Sequence, residues 1–518
     1  MTKYFLLIFS VIFLSCKDTN KTTEAIPVET ISENSYSEPF RPQFHFTPQE
    51  KWMNDPNGLV YNDGVYHLFY QYYPDDIVWG PMHWGHATSK DMIHWDHKPI
   101  ALYPDELGLI FSGSAVVDSN NSSGFGTKEN PPLVAIFTYH LMEGEKAGRK
   151  DFQTQGIAYS LDNGNTWTKY EGNPVIGNDG IKDFRDPKVF WDEDTSQWVL
   201  ILVAGDHAKF YKSSNLKDWE LMSEFGKDKG AHGGVWECPD LFKLKVGETE
   251  EEKWVLLISI NPGAPNGGSG TQYFVGEFDG TNFTTNHEDI KWLDYGMDNY
   301  AGVTYNNVPN KDRLFIGWMS NWNYARDTPT EVWRSAMTLP RKLTLDKDES
   351  GYFLKNYPIA NFNKLKKLEK EINAITLDAP FEWEAENLNH KEISFTMNLK
   401  DKVTVSVSNS LSEKVSLVFN PKENKILFDR TGSGIVDFEE SFGKEIQSQP
   451  YMPIEKEVEV KIIIDQSSVE VFIDKGKNVF TNQIFPKQVY TKLDISGSEG
   501  AVISNLVINN IKSIWNEN

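Results

Sequence analysis

The stretch Trp52-Met53-Asn54-Asp55-Pro56-Asn57-Gly58, followed by Leu59-Val60-Tyr61 and Tyr66-His67-Leu68-Phe69-Tyr70, decides the fold. It sets an indole, a carboxamide and a carboxylate almost side by side, and Asp-Pro and Asn-Gly are turn signals. Two short apolar runs follow. The pattern is a polar loop that presents Asp55 at a strand end, then a strand, a turn and a second strand. Alone it describes any hairpin, and an isolated Asp-Pro is an ordinary turn. Its weight comes from recurrence.

Between about residues 40 and 344 the pattern returns. Ser112-Gly113-Ser114 leads to Ala115-Val116-Val117 and Leu133-Val134-Ala135-Ile136-Phe137. Arg185-Asp186-Pro187 leads to Val189-Phe190-Trp191 and Trp198-Val199-Leu200-Ile201-Leu202. Glu237-Cys238-Pro239 leads to Leu241-Phe242 and Trp254-Val255-Leu256-Leu257-Ile258. Asn299-Tyr300-Ala301 leads to Val303-Thr304-Tyr305 and Leu314-Phe315-Ile316-Gly317-Trp318. Turn residues ahead of an outer Trp, at Trp95, Trp167 and Trp219, extend three of the copies. Strand repeats at this period predict a β-propeller, and five copies predict five blades. Each copy starts on the innermost strand, near the axis. Asp55, Asp186 and Glu237 are therefore expected to converge on one funnel from matching positions.

Past Arg341 the texture changes. Residues 364–371 are rich in Lys, Glu and Leu and read as a short helix or linker. From about Phe381 onward, runs such as Ile393-Ser394-Phe395-Thr396-Met397 and Val403-Thr404-Val405-Ser406-Val407 alternate with period two. That predicts a β-sandwich. No catalytic cluster stands out there, so its expected role is structural, with a carbohydrate-binding module as the alternative. The fold class is all-β: a five-bladed propeller over 39–345, then a linker and sandwich over 346–518.

The chain has 518 residues, 16 Trp and a net charge of −23. That charge argues against nucleic acid or anionic lipid as partners. Abundant Trp fits sugar-stacking surfaces or a β-rich core. The two cysteines, Cys16 and Cys238, make no disulfide framework. Residues 1–16 have a basic start, an apolar run and a small residue before Cys16, the outline of a lipoprotein signal peptide with Cys16 as the lipidated residue. Residues 17–38 are polar and read as a flexible tether. The expected location is outside the cytoplasm, lipid-anchored to a bacterial membrane, with plain secretion as the alternative. The lipid would be the only membrane contact.

Hydrolysis of a glycosidic bond needs two carboxyl groups flanking it. Asp55, among polar turn residues, is expected to stay ionised and suits a nucleophile. Glu237, next to Val235-Trp236, is expected to be desolvated and suits a general acid. Asp186, beside Arg185, is expected to remain a fixed anion that hydrogen-bonds sugar hydroxyls and favours an oxocarbenium ion.

These residues resemble a known family. Trp52 to Gly58, Phe184-Arg185-Asp186-Pro187 and Trp236-Glu237-Cys238-Pro239 are similar to the three signature motifs of glycoside hydrolase family 32, the β-fructofuranosidases. So are Phe69-Tyr70-Gln71-Tyr72, Trp79-Gly80-Pro81, Phe111-Ser112-Gly113-Ser114, Asp294-Tyr295-Gly296, Gly317-Trp318-Met319-Ser320-Asn321-Trp322, Leu339-Pro340-Arg341 and Asp465-Gln466-Ser467-Ser468-Val469-Glu470-Val471-Phe472. The resemblance implies a retaining mechanism with Asp55 as nucleophile, Glu237 as acid/base and Asp186 as transition-state stabiliser. It places Asn54, Gln71, Trp79, Ser112, Gly113, Arg185 and Trp322 around a terminal fructose, and Trp52 is read as a further pocket wall. It implies no cofactor and no metal. The expected activity is exo-acting release of fructose from levan- or inulin-type fructans and from sucrose. The alternatives are a non-catalytic fructan-binding lipoprotein, an endo-levanase or fructosyltransferase of the same family, and an inverting five-bladed hydrolase. Residues 143–155 are charged and polar and are expected to form a rim loop that decides linkage preference.

Overall fold

A computed structural model describes residues 36–452 and 457–515. Residues 1–35, which carry Cys16 and most of the expected tether, lie outside the described residues. Among those described, no helix is long and apolar enough to cross a membrane.

Five antiparallel sheets form blades one to five. Their innermost strands are Lys51–Asn62, Leu109–Val117, Phe184–Asp192, Val235–Lys245 and Tyr300–Thr304. Each touches the next and the fifth touches the first, so the sheets close into a ring: a five-bladed β-propeller. Second strands such as Leu133–His140 and Gln197–Ala204 are almost wholly buried, because blades cover them on both faces. This explains their unbroken apolar runs. Late in the propeller, Trp333–Arg334 lies parallel to Lys51–Trp52 and ties the end of the ring to its start.

The same irregularity occurs near the start of every innermost strand. Two residues oppose one on the neighbouring strand: Asn54-Asp55 opposite Gln71, Phe111-Ser112 opposite Thr138, Asp186-Pro187 opposite Leu202, Cys238-Pro239 opposite Ile258 and Ala301-Gly302 opposite Gly317. These are β-bulges, which bend a strand and re-aim its side chains. Asp186, Cys238 and Ala301 take left-handed backbone at φ 64°, 46° and 54°.

The C-terminal part is a β-sandwich of two six-stranded sheets. Ile393, Phe395 and Met397 of one sheet and Val403, Val405 and Val407 of the other point into a shared apolar core. Residues 364–371 are not a helix. After a 3₁₀ turn at Ala360–Leu365 the chain enters the strand Lys366–Thr376, which pairs with Val502–Ile511. It is an edge strand with mixed polar faces, so it carries little of the alternation that marks the others.

Buried ions join sandwich to propeller. His45 Nδ1 lies 2.7 Å from Asp465 Oδ2, and its Nε2 lies 3.1 Å from Glu470 Oε2. Arg341 donates to Glu470 and, at 3.3 Å, to Asp294. Arg430 of the sandwich donates to Asp298 at 2.6 Å and to the Tyr324 hydroxyl at 2.7 Å. The late motif containing Asp465 and Glu470 therefore serves the joint between the two parts. Burial alone would lower the His45 pKa, but its two carboxylate partners outweigh burial and raise it from 6.5 to about 9. Burial likewise opposes ionisation of Glu470, yet Arg341 and His45 hold it at about 2, below its ordinary 4.5.

The raised His45 contributes stability that is complete below pH 6.5 and lost as pH rises through about 9. The depressed Glu470 contributes above pH 4.5 and loses its contribution as pH falls toward about 2. We expect thermal stability to be highest between about pH 4.5 and 6.5 and to decline toward pH 9. In His45→Gln the unfolding free energy should fall by about 3–5 kcal/mol near pH 6. Its decline between pH 6.5 and 9 should flatten, as read by calorimetry across that range. An unchanged slope would exclude His45 as the titrating group.

Candidate active site

The bulged strand starts surround a cavity of about 430 Å³. Asn54, Asp55, Gln71, Trp79, Ser112, Arg185, Asp186, Glu237 and Trp322 line it. Two larger clefts, about 740 and 620 Å³, lie at the opposite ends of the innermost strands and between the last blade and the sandwich. Neither holds any of the three carboxylates.

The bulges show how each carboxylate reaches the cavity. Glu237 immediately precedes its bulge, Asp186 is the first bulge residue and Asp55 the second. The three are thus staggered by one position each, not equivalent as the repeat alone implied. A staggered set lets three carboxyls meet without superimposing.

Asp55 is held at both oxygens. Asn54 donates to Oδ1 at 3.0 Å and Ser112 to Oδ2 at 2.7 Å. Asn54 is itself oriented by Trp52, whose Nε1–H donates to its carbonyl at 2.7 Å. Asp186 Oδ2 accepts from the Cys238 amide at 3.0 Å, so the bulges of the neighbouring blades three and four are bonded to each other. Glu237 receives Arg185 at 3.0 Å and the Tyr300 hydroxyl. Arg185 also binds Asp183 at 2.7 Å, whereas its nearest approach to Asp186 is 4.0 Å.

These contacts correct three expectations. Asp55 is not kept readily ionised: burial first, then the charge of Glu237, pushes it up to about 6 against the pull of Asn54 and Ser112. Asp186 is also raised, chiefly by burial, because Arg185 turns its fork toward Glu237 and Asp183. Glu237 does not sit among apolar groups. Trp236 points the other way into the core, and the Glu237 carboxyl faces a guanidinium and a phenol.

Trp52 and Gly113 need correction too. Trp52 is fully buried and lies behind the cavity wall, 6.0 Å from Trp322 and 6.3 Å from Trp318. Trp322 lines the wall and Trp52 supports it. Gly113 lies beneath the cavity, where a Cβ would come within 2.1 Å of the Ile136 carbonyl. The strand approach there admits only glycine.

Several residues escaped the sequence reading. Tyr300, within the Asn299-Tyr300-Ala301 start of the fifth copy, carries the signal of its position, since other copies start with functional side chains. His140, Glu145, Gln153, Asp183 and Arg326 also line the cavity. They lie outside the copy starts, so nothing in the repeat marks them. Glu145 sits on a short helix, Met142–Lys146, within the segment expected to form a rim loop.

Below the carboxylates the axis is filled. Lys188 Nζ lies 3.3 Å from Asp240 and donates to the Thr304 carbonyl at 2.5 Å. Asn306 donates to the carbonyls of Ala115 and Val189 at 2.8 and 3.0 Å. The cavity is consequently a blind pocket, open at one end.

Comparison with known proteins agrees with this architecture. The N-terminal domain of glycosyl hydrolases family 32 matches residues 45–358, and the C-terminal domain of that family matches residues 360–512. A levanase from Bacillus subtilis is 45% identical over 95% of this chain and 73% of its own length. An extracellular exo-inulinase from Aspergillus niger is 40% identical over 93% of this chain and 96% of its own. The crystal structure of an exo-inulinase from Aspergillus awamori superposes with a TM-score of 0.86 at 38% identity, covering 93% of this chain and all of that one. Both family domains are matched in order and over nearly the whole described chain, and the chain is therefore a member of glycoside hydrolase family 32.

Proposed function

We propose that this protein is a retaining β-fructosidase that removes terminal fructose from fructans, and from sucrose, by exo-action. The observation that carries this reading is the convergence of Asp55, Asp186 and Glu237 on one blind pocket. Its relatives include a levanase, exo-inulinases and an invertase from Schizosaccharomyces pombe, and these names supply the substrate class. A dead-end pocket suits a chain terminus and excludes a continuous polymer strand.

Asp55 attacks the anomeric carbon of the terminal fructose and forms an ester. Glu237 gives its proton to the departing oxygen. Arg185 and Tyr300 then stabilise the carboxylate left behind. Water, deprotonated by Glu237, releases fructose with its configuration retained. Asp186 accepts hydrogen bonds from the fructose hydroxyls and offsets the positive charge developing on the ring. Gln71 Nε2 is buried with no hydrogen-bond partner among the described residues, so a substrate hydroxyl is its natural acceptor. Trp79 and Trp322 supply flat apolar walls.

The proposal extends to the N-terminus. Residues 1–16 act as an export signal, Cys16 takes a lipid, and residues 17–38 tether the propeller outside the cytoplasm. The 39–345 and 346–518 division assigns catalysis to the propeller and support to the sandwich.

The deciding experiment is a product profile over time on levan and inulin. Fructose alone from the first time point is expected; an initial ladder of oligomers would establish endo-action instead. Glu237→Gln should lower kcat/KM on fructans, which reports formation of the ester, by about 10²–10⁴-fold. The kcat/KM on β-fructosyl fluoride, whose leaving group needs little protonation, should fall much less, and equal losses in kcat/KM would remove Glu237 from the acid role.

The acid limb of kcat/KM should follow Asp55, with a midpoint near pH 6. Ser112→Ala removes a hydrogen bond that favours ionised Asp55, so this limb should move to higher pH, by about half to one unit. A shift downward, or none, would separate the limb from Asp55.

A further inference from the structure

The pocket continues past the catalytic carboxylates to a rim with its own hydrogen-bonded construction. Its volume of about 430 Å³ lies within the range that encloses drug-sized ligands, so it holds more than one sugar ring. One wall runs outward from Trp79 to Phe111, 6.1 Å away and edge-on, and from Phe111 to His140, stacked at 4.2 Å and 12°. It ends at Glu145, whose side chain is 44% exposed.

Solvent-exposed glutamates usually wander, because fixing a long side chain costs entropy that a surface partner rarely repays. Glu145 is held from behind by a buried ring. Gln153 Nε2–H donates to His140 Nδ1 at 3.1 Å, which leaves Nε2 as the protonated nitrogen, 3.2 Å from Glu145 Oε2. Gln153 is fixed in turn: its Oε1 accepts from the Phe184 amide at 2.7 Å and from Arg185 at 3.4 Å. Arg185 reaches Glu237 at 3.0 Å. A continuous chain, Glu145–His140–Gln153–Arg185–Glu237, thus fixes the rim carboxylate relative to the group that faces the departing oxygen. Burial lowers the His140 pKa, consistent with the neutral ring that this chain requires.

We propose that Glu145 is the specificity-determining residue on the leaving-group side, accepting a hydroxyl of the sugar ring next to the scissile bond. The ligand is a neutral polyhydroxylated ring, the second fructosyl unit of a fructan. The ring lies along the Phe111–His140 wall. Glu145 is free to bind it because only one of its oxygens is taken by His140. This inference rests on the reading of the protein as a β-fructosidase.

The test compares the full chain with Glu145→Ala and Glu145→Gln on fructan trisaccharides of β-2,1 and β-2,6 linkage and on β-fructosyl fluoride. The fluoride has no ring on the leaving side. Glu145→Ala should lower kcat/KM on at least one trisaccharide about tenfold, mainly through KM, and change the fluoride reaction by less than about twofold. Glu145→Gln, which keeps an acceptor oxygen, should recover part of the loss. An active parent whose variants lose equally on both substrate types, or lose on neither, overturns the role of Glu145 alone. A parent that releases fructose from none of them overturns the β-fructosidase reading and this inference with it.

Discussion

The extra residue near the start of every innermost strand is the constraint on which the rest depends. A regular strand alternates its side chains between two faces, and in a propeller those faces are covered by the neighbouring blades. A carboxylate on such a strand would be buried against apolar neighbours or displaced to an edge. The bulge breaks the alternation once, at the same depth in all five blades, and turns a side chain toward the axis. In blades three to five it does so through a non-glycine residue in left-handed backbone, a conformation that costs about 1–3 kcal/mol at each site. The ring of blades holds these residues there. Closing the propeller and assembling the pocket are therefore one event: without five packed blades, nothing would keep Asp186 or Cys238 in that conformation.

The polar groups beneath the pocket follow from the same closure. Strands that converge on an axis bring their backbone and polar side chains close together where apolar packing cannot fill the space. Lys188, Asp240 and Asn306 fill it with hydrogen bonds between blades. That filling makes the cavity blind, which is the feature that separates attack on a chain end from attack on a chain interior. The sandwich contributes by fixing blade five from outside, through Arg341 and Glu470, while Tyr300 of the same blade reaches Glu237 from inside.

The repeat was legible because strand, turn and apolar run are local properties of sequence. The five copy starts quoted from the sequence fall on the five innermost strands. The bulges were not legible, since a register shift is defined only against a partner strand. This is why the three carboxylates read as equivalent and prove staggered. Trp52 was misread for a related reason: its neighbours Asn54 and Asp55 face the pocket, but the bulge separates their facing from its own. Residues 364–371 end a 3₁₀ turn and begin the edge strand Lys366–Thr376, whose mixed polarity resembles a linker. The joint of His45, Arg341, Asp465 and Glu470 draws on positions hundreds of residues apart, and each alone is an ordinary polar residue beside a strand. The signature motifs located the carboxylates; the charged stretch 143–155 pointed to a rim loop as a segment, but nothing in it singled out Glu145, and His140 lies outside it.

The electrostatics of the site have a consequence for the order of events. Burial raises Asp55 and Asp186 together; the charge of Glu237 adds to both shifts, and the charge of Asp55 adds to that of Asp186. Arg185 is the cation among them, and its bonds go to Glu237 and Asp183. A site this crowded with acids cannot hold every carboxyl ionised at low cost, so it retains protons near neutral pH. On the proposed mechanism, attack converts Asp55 into an uncharged ester. That removes one of the charges holding Asp186 up, and Asp186 ionises more readily at the stage when an anion beside the fructose ring is required. The repulsion that makes the resting site reluctant to carry full charge is thus relieved once one carboxylate is spent in bond formation, and Asp186 can carry its charge more readily for the second transition state, in which water breaks the ester.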